Sequence, residues 1–302
     1  MEKPKCIAEL VLGTAQLAMP YGTLAPEAAP DREQSFGILD SAWNARVTIF
    51  DTAAAYGEAE NRIGAWSRER GFWPSIIGKV PAIPKTETRT FDFVEAQIRN
   101  TCERIGQTNI EAMLLHRAVD IERSEAIDAM SAAVQRGTIR KWGVSIYTAA
   151  EFDKAMGIPS VAVIEAPISI VDRRLEKLGL LAEAARRGIE VVARSVFQQG
   201  ALLRPPESIP ATIPGLRDAC VELHRRAASL GMAPGALAIA AVRQVPGVTK
   251  VVVGAATALQ IETIARWSDE GSEHYAWSSL ESLGAMLDDR ALDPRNWKFY
   301  LS

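Results

Sequence analysis

Three histidines and three cysteines in 302 residues leave little material for several kinds of chemistry. His116, His224 and His274 are scattered, which disfavours a hydrolase that holds metal through several imidazoles; no metal site is assigned. Cys6, Cys102 and Cys220 lie far apart with no C-x-x-C pair. That spacing argues against a disulfide framework or a zinc site and points to a reducing compartment. No run of about 18 apolar residues suggests a membrane span, and Met1-Glu-Lys-Pro-Lys-Cys6 lacks the apolar stretch of a signal peptide. A cytoplasmic protein without a membrane partner is expected. The net charge is -3 and the pI about 5.8, so no broad basic surface awaits nucleic acid. No G-x-G-x-x-G follows a strand-like run, so a separate dinucleotide-binding domain is not signalled.

What is present is ordinary globular composition, 48% hydrophobic and 24% charged, arranged in a regular alternation. Short β-branched runs predict strands over 8–13, 47–50, 75–79, 111–116, 141–145, 161–165, 189–194 and 250–254. Between them, apolar residues at helical spacing predict helices over 31–44, 58–70, 91–105, 122–136, 149–156, 175–187, 217–230 and from 257 onward. Parallel neighbours need a crossover, and eight such units are the number that closes a barrel. No linker or low-complexity tract divides the chain. The expectation is one α/β domain over 1–302, a (β/α)8 TIM barrel, with a C-terminal helix and tail from about 278.

The stretch Phe50-Asp-Thr-Ala-Ala-Ala-Tyr-Gly-Glu-Ala-Glu60 stands out. It places Asp51 at the end of the second strand and Tyr56 on the loop that leaves it. Lys79, His116, Ser145, Glu165 and Arg194 end five further strands in the same way. In a barrel these ends surround one pit, where such enzymes keep their chemistry. The bland alternative is a ring of rim salt bridges, but six polar residues at one face argue against it, because unpaired buried charge is costly. A phenol ionises near ~10 in model compounds, and a neighbouring ammonium favours the phenolate. Lys79 is placed to supply that charge, Asp51 to orient the lysine, and His116 to share a proton with the phenol or position a carbonyl oxygen. Such a group gives a proton to a developing alkoxide. No side chain supplies the accompanying electrons, and a nicotinamide cofactor is the simplest source of hydride.

Leu12-Gly-Thr-Ala-Gln16, Phe50-Asp-Thr-Ala-x-x-Tyr-Gly57, Gly78-Lys79, Leu114-Leu-His116, Gly143-Val-Ser145 and Gln199-Gly200, in this order, make the chain resemble an aldo-keto reductase along nearly its whole length. The resemblance implies a catalytic tetrad of Asp51, Tyr56, Lys79 and His116. It also implies NADP or NAD bound in extended form without a Rossmann domain. The cofactor would lie against Gly13, Thr14, Ala15, Asp51, Ser145, Glu165, Arg194, Ser195, Phe197, Gln199, Gly200, Gly254, Ala255, Ala256, Thr257 and Gln260.

Four positions depart from that family's pattern. Ile146 replaces an asparagine and Glu165 a glutamine, both of which the family aims at the nicotinamide carboxamide. Arg194 stands where an aromatic residue often lies under the ring; a planar guanidinium also stacks. Gly254-Ala-Ala-Thr257 lacks the base that often meets the 2′-phosphate of NADP, which predicts a weak or absent NADP preference, although Thr257 and Gln260 fit a capping box. A charged Glu165 near the ring would favour the oxidised cofactor, and with it dehydrogenation, unless Arg194 neutralises it. The expected activity is hydride transfer between a nicotinamide cofactor and a carbonyl or alcohol (aldehyde, ketone or sugar). The alternative is a barrel module that holds a cofactor with little turnover. Tyr21 and Met19 are candidates for a substrate pocket; His224 and His274 read as surface residues.

Overall fold

The computed structural model describes residues 7–20, 22, 28–270 and 277–301; Tyr21 and His274 lie outside the described residues. In chain order the elements are β1 (Glu9–Gly13), α1 (Arg32–Asn44), β2 (Ile49–Asp51), α2 (Ala59–Arg70), β3 (Ser75–Val80), α3 (Thr90–Ile105), β4 (Ile110–Leu115), α4 (Ser124–Gln135) and β5 (Ile139–Ser145). They continue with α5 (Ala149–Met156), β6 (Val163–Pro167), α6 (Arg174–Lys177), α7 (Leu180–Arg186), β7 (Glu190–Arg194), α8 (Leu216–Ser229), α9 (Pro234–Arg243), β8 (Val248–Gly254) and α10 (Ala258–Glu270). The strands pair in parallel in sequence order, and β8 returns to β1 with Gly13 opposite Gly254, so the sheet closes. This is the expected (β/α)8 barrel.

Two apolar layers hold it. Outside the sheet, large residues such as Phe36, Phe50, Trp66, Trp142 and Phe152 are buried between strands and helices. Inside it, a smaller cluster of Val11, Ile77, Ala112, Leu114, Val163 and Val192 plugs the barrel. Side chains alternate across a strand, so the residue two places beyond each plug residue also points inward. From Ile77, Leu114, Val163 and Val192 that step reaches Lys79, His116, Glu165 and Arg194, and from the neighbouring Ile49 it reaches Asp51. The polar pit is therefore the next layer of the same barrel. Gly143 lets β5 and β6 approach at this level: a Cβ there would sit 1.7 Å from the Val163 carbonyl oxygen.

Local chemistry fixes the helix starts. Asp31 and Gln34 form a capping box at α1, and Thr148 and Glu151 form one at α5. The single helix expected over 175–187 is two, because Gly179 takes a left-handed conformation (φ 72°) between α6 and α7. The sequence reading passed over α9: Pro234-Gly-Ala-Leu-Ala-Ile-Ala-Ala-Val-Arg243 is apolar all round because it is buried all round, and so shows no amphipathic stripe. The helix expected from 278 is a 3-10 segment, Trp277–Ala285. The tail does pack: Trp297 is buried and its Nε1 donates to the Ala291 carbonyl at 2.8 Å. His224, expected on the solvated face of α8, is instead half-buried with its Nε2 enclosed.

Candidate active site

The ends of β1 and β2 are tied together, since both the backbone N–H and the hydroxyl of Thr14 donate to the Asp51 carbonyl at 2.9 Å. Beneath that tie lies a chain of alternating charges. Lys79 Nζ is 2.5 Å from both carboxylate oxygens of Asp51 and 3.2 Å from Glu165 Oε2. Glu165 Oε1 in turn lies 3.4 Å from Arg194 Nε and accepts the Ser145 hydroxyl at 2.9 Å. Asp51, Lys79 and Glu165 are each no more than 3% exposed. Four formal charges, two of each sign, thus run from β2 across β3 and β6 to β7, and their sum is zero.

Tyr56 stands above the lysine, with Lys79 Nζ 5.5 Å from its ring centroid. His116 meets the phenol ring edge to face at 5.8 Å and 86°. The four residues of the expected tetrad therefore converge, although they come from three different strand ends and one loop.

Burial works against charge on Lys79, but Asp51 and Glu165 outweigh it and hold the ammonium above its ordinary value. Burial and the Glu165 charge push the Asp51 carboxyl up, with Lys79 opposing. Burial would raise Glu165 as well, yet Lys79 and Arg194 pull it below the usual carboxylate range. Burial, with Lys79 and Arg194, lowers His116 to about 4, so it is a neutral imidazole near pH 7.

A cleft of about 510 Å³ opens from this pit. Of the residues the sequence assigned to the cofactor, Gly13, Thr14, Ala15, Asp51, Glu165 and Arg194 line it, joined by Ser195, Phe197, Gln199 and Gly200 on the β7 loop and Gly254, Ala256 and Gln260 beside α10. The loop curls over the cleft through left-handed backbone at Ser195, Gln198 and Gln199 (φ 60°, 47° and 53°) and at Gly200, a conformation non-glycine residues keep only where surroundings demand it. Three assigned residues do not reach the wall. Ser145 is turned to Glu165, Ala255 is buried, and Thr257 caps α10 by accepting the Gln260 N–H at 3.2 Å while Gln260 Oε1 accepts from Ala256 N–H at 2.7 Å. The sequence reading missed Gln16, Leu203, Arg204, Leu259, Thr263 and Trp267, which also line the cleft. The 259, 263, 267 spacing along one helical face was the available signal.

Arg194 does not simply replace an aromatic platform. Its Nη2 donates to the Ile146 carbonyl at 2.8 Å and its guanidinium lies 4.0 Å from the Tyr147 ring centroid. Arg295 of the tail covers the same ring and is held by Asp293. No helix among the described residues is long and apolar enough to cross a membrane.

Known proteins agree with this geometry. Residues 9–284 match the model of the aldo/keto reductase family. The chain is 29% identical over 175 residues to aldo-keto reductase str7 of Strobilurus tenacellus, covering 56% of this chain and 52% of that one, so it spans about half the length of that relative. It is 23% identical to pyridoxal 4-dehydrogenase of Microbacterium luteolum, over 92% and 94% of the two chains. The holo form of aldo-keto reductase AKR11C1 from Bacillus halodurans has the same fold, with a TM-score of 0.76 at 20% identity over 94% and 95% of the chains. With its barrel, its converging Asp51, Tyr56, Lys79 and His116, and a family match over nearly all its length, the chain belongs to the aldo/keto reductase family.

Proposed function

We propose that the protein is a cytosolic oxidoreductase that interconverts a small carbonyl compound and its alcohol with NAD or NADP. The observation that carries this reading is the phenol of Tyr56 set above a buried, charge-held Lys79 in the wall of a cleft of about 510 Å³. The cleft fits such a cofactor in kind: Gly13 and Gly254 line it at the ends of β1 and β8, the left-handed β7 loop lines one side, and a capped helix start lines the other. A reduced nicotinamide, when bound there, supplies hydride to the carbonyl carbon.

The protein's own part is the proton. As charge grows on the carbonyl oxygen, the Tyr56 O–H bond breaks and its proton passes to that oxygen, leaving a phenolate beside Lys79. Asp51 keeps the lysine in place. A neutral His116 can donate one ring N–H to the carbonyl oxygen without adding a positive charge. The reverse direction takes a proton from the alcohol onto the phenolate.

The experiment has two arms. NADH and NADPH are titrated by fluorescence against the wild type and Tyr56→Phe, and turnover is measured on a panel of aldehydes, ketones and sugars. Tyr56→Phe is expected to bind cofactor nearly as well as wild type and to lose about 100- to 10,000-fold in kcat. Binding of neither cofactor removes the oxidoreductase reading, and binding with no turnover of any panel member favours the cofactor-holding module.

A further inference from the structure

We infer that Glu165 is a positioning residue that shares the Lys79 charge with Asp51, and so sets the pH at which Tyr56 gives up its proton; this rests on the function proposed above. A lysine that serves only to favour a phenolate needs one carboxylate to hold it. Here it has two. Glu165 Oε2, a buried oxygen, stands 3.2 Å from Lys79 Nζ, with the Asp51 carboxyl on the same ammonium. The consequence is electrostatic. Glu165 adds a negative charge beside Lys79, and a negative neighbour opposes loss of the phenolic proton.

Two features of the surroundings make this a built arrangement. Ser145, paired with Glu165 across β5 and β6, spends its hydroxyl on Oε1 rather than on the cleft. Arg194 approaches that same oxygen at 3.4 Å while anchored to the Ile146 carbonyl and stacked on Tyr147. Oε1 is thereby tied to β5 and β7, which leaves Oε2 directed at Lys79. Arg194 brings an opposing positive charge to Glu165, so its hold on the carboxylate is the counterweight that limits how strongly the glutamate acts on the phenol. The charged or titratable groups facing Tyr56 are then Asp51 from β2, Lys79 from β3, His116 after β4, Glu165 from β6 and Arg194 from β7, of which His116 is neutral near pH 7.

The size follows from distance. Glu165 Oε2 lies within about 9 Å of the Tyr56 ring centroid by way of Lys79, and a unit charge at that range and an effective dielectric near 20 moves an ionisation by about one pH unit.

Two variants of opposite sign test this. Glu165→Gln removes the charge and keeps the shape. Arg194→Gln removes the counterweight and leaves Glu165 acting on Lys79 and the phenol. Phenolate formation is followed by ultraviolet absorbance in the cofactor-free protein, with Tyr56→Phe as the subtracted blank, and the pH profiles of kcat/KM are recorded in both directions. Glu165→Gln is expected to shift the Tyr56 titration and both profiles down by about one pH unit, and Arg194→Gln to shift them up. A Glu165→Gln variant that lowers stability or kcat with the titration unmoved overturns the proposal, as does a shift of the same sign in both variants. Should Glu165→Gln fail to fold, Glu165→Met, which also removes the charge, is titrated in its place, and an unmoved titration overturns the proposal. The cofactor-free titration reads Glu165 even if no nicotinamide cofactor binds, so failure of the function and failure of this inference are told apart.

Discussion

Replacing Lys79 with methionine removes the only positive charge in contact with Asp51 among the described ion pairs. Methionine has nearly the volume of the lysine stem, so the packing term is small, and the cost is the stranded charge. At 3.2 Å and an effective dielectric near 20 the Lys79–Glu165 attraction alone amounts to about 5 kcal/mol before desolvation is subtracted. Removing one partner of a buried pair typically costs about 3–5 kcal/mol net. Glu165 retains Arg194, whereas Asp51 retains no cation among the described residues, so the loss falls chiefly on Asp51. Its carboxyl, already pushed up by burial and Glu165 with lysine in place, should rise further without it. A buried acid whose folded pKa exceeds its unfolded value is stabilised below the unfolded value, and that advantage is lost as pH rises through the folded one. Lys79→Met should therefore be destabilised by about 3 kcal/mol or more at pH 8, a Tm loss of about 6–10 °C for a domain of this size. The deficit should be smaller at pH 5 than at pH 8, because a carboxyl pushed up in this way sheds its stranded charge as pH falls. Adding Asp51→Asn should recover at least half of it at pH 8. The assay is urea unfolding of the wild type, both single variants and the double variant at the two pH values. Equal destabilisation at pH 5 and pH 8, or a double variant no more stable than Lys79→Met, would refute the reasoning.

Two further outcomes can be checked on the same material. His116 is lowered to about 4 in the folded protein by burial, Lys79 and Arg194, against about 6.5 when unfolded; the unfolded chain binds more protons in that window, so stability is complete above about pH 6.5 and declines as pH falls toward 4. The decline between pH 7 and pH 5 should be at most about 2 kcal/mol and should be missing from His116→Gln; denaturation midpoints that fall equally in both proteins would assign the acid sensitivity elsewhere. The backbone after β8 carries no Lys or Arg through Thr257, so dissociation constants for NADH and NADPH should agree within about tenfold, and a hundredfold preference for NADPH (about 2.7 kcal/mol) would show that a cation from elsewhere in the cleft, such as Arg204, supplies the 2′-phosphate contact.

The barrel was legible because its strands are short β-branched runs whose inner faces repeat every second residue. The polar ends were legible for the same reason: parity carries Ile77 to Lys79 and Val163 to Glu165, so recognising a strand also indicates what its last inward residue meets. The nearness of Asp51, Lys79 and His116 needed no more than this, and that of Tyr56 its loop position; their roles as a tetrad came from the family resemblance. Two kinds of information were out of reach. One was structure without contrast. In α9 every face is apolar, and periodicity cannot show in a helix that has no outside. The other was pairing across strands. Nothing in Ser145, Glu165 or Arg194 taken singly shows that they bond to one another rather than to a ligand, since that depends on the register that sets Ser145 opposite Glu165 and Pro167 opposite Arg194.

That register changes the meaning of the departures from the family pattern. Taken one at a time, Ile146 and Glu165 are losses: an amide that cannot be replaced by a hydrocarbon, and a carboxylate that only accepts hydrogen bonds. An unscreened Glu165 would also attract an oxidised, positive nicotinamide and turn the enzyme toward dehydrogenation. Lys79 at 3.2 Å and Arg194 at 3.4 Å from the carboxylate are the neutralising partners that weaken that directional argument. Taken together, the substitutions form one local solution. A carboxylate at 165 requires a second cation at the rim, which Arg194 provides. An arginine at 194 requires acceptors for its fixed fork of donors, which Glu165 and the backbone carbonyl of Ile146 provide, and a flat neighbour, which Tyr147 provides. Once the backbone of 146 is used in this way, its side chain is free to be apolar, and Ile146 is buried with no polar atom left to satisfy. Glu165 and Arg194 still line the cleft, yet Glu165 also stands 3.2 Å from Lys79, so a carboxylate at this position is balanced from both the β3 and the β7 strand ends.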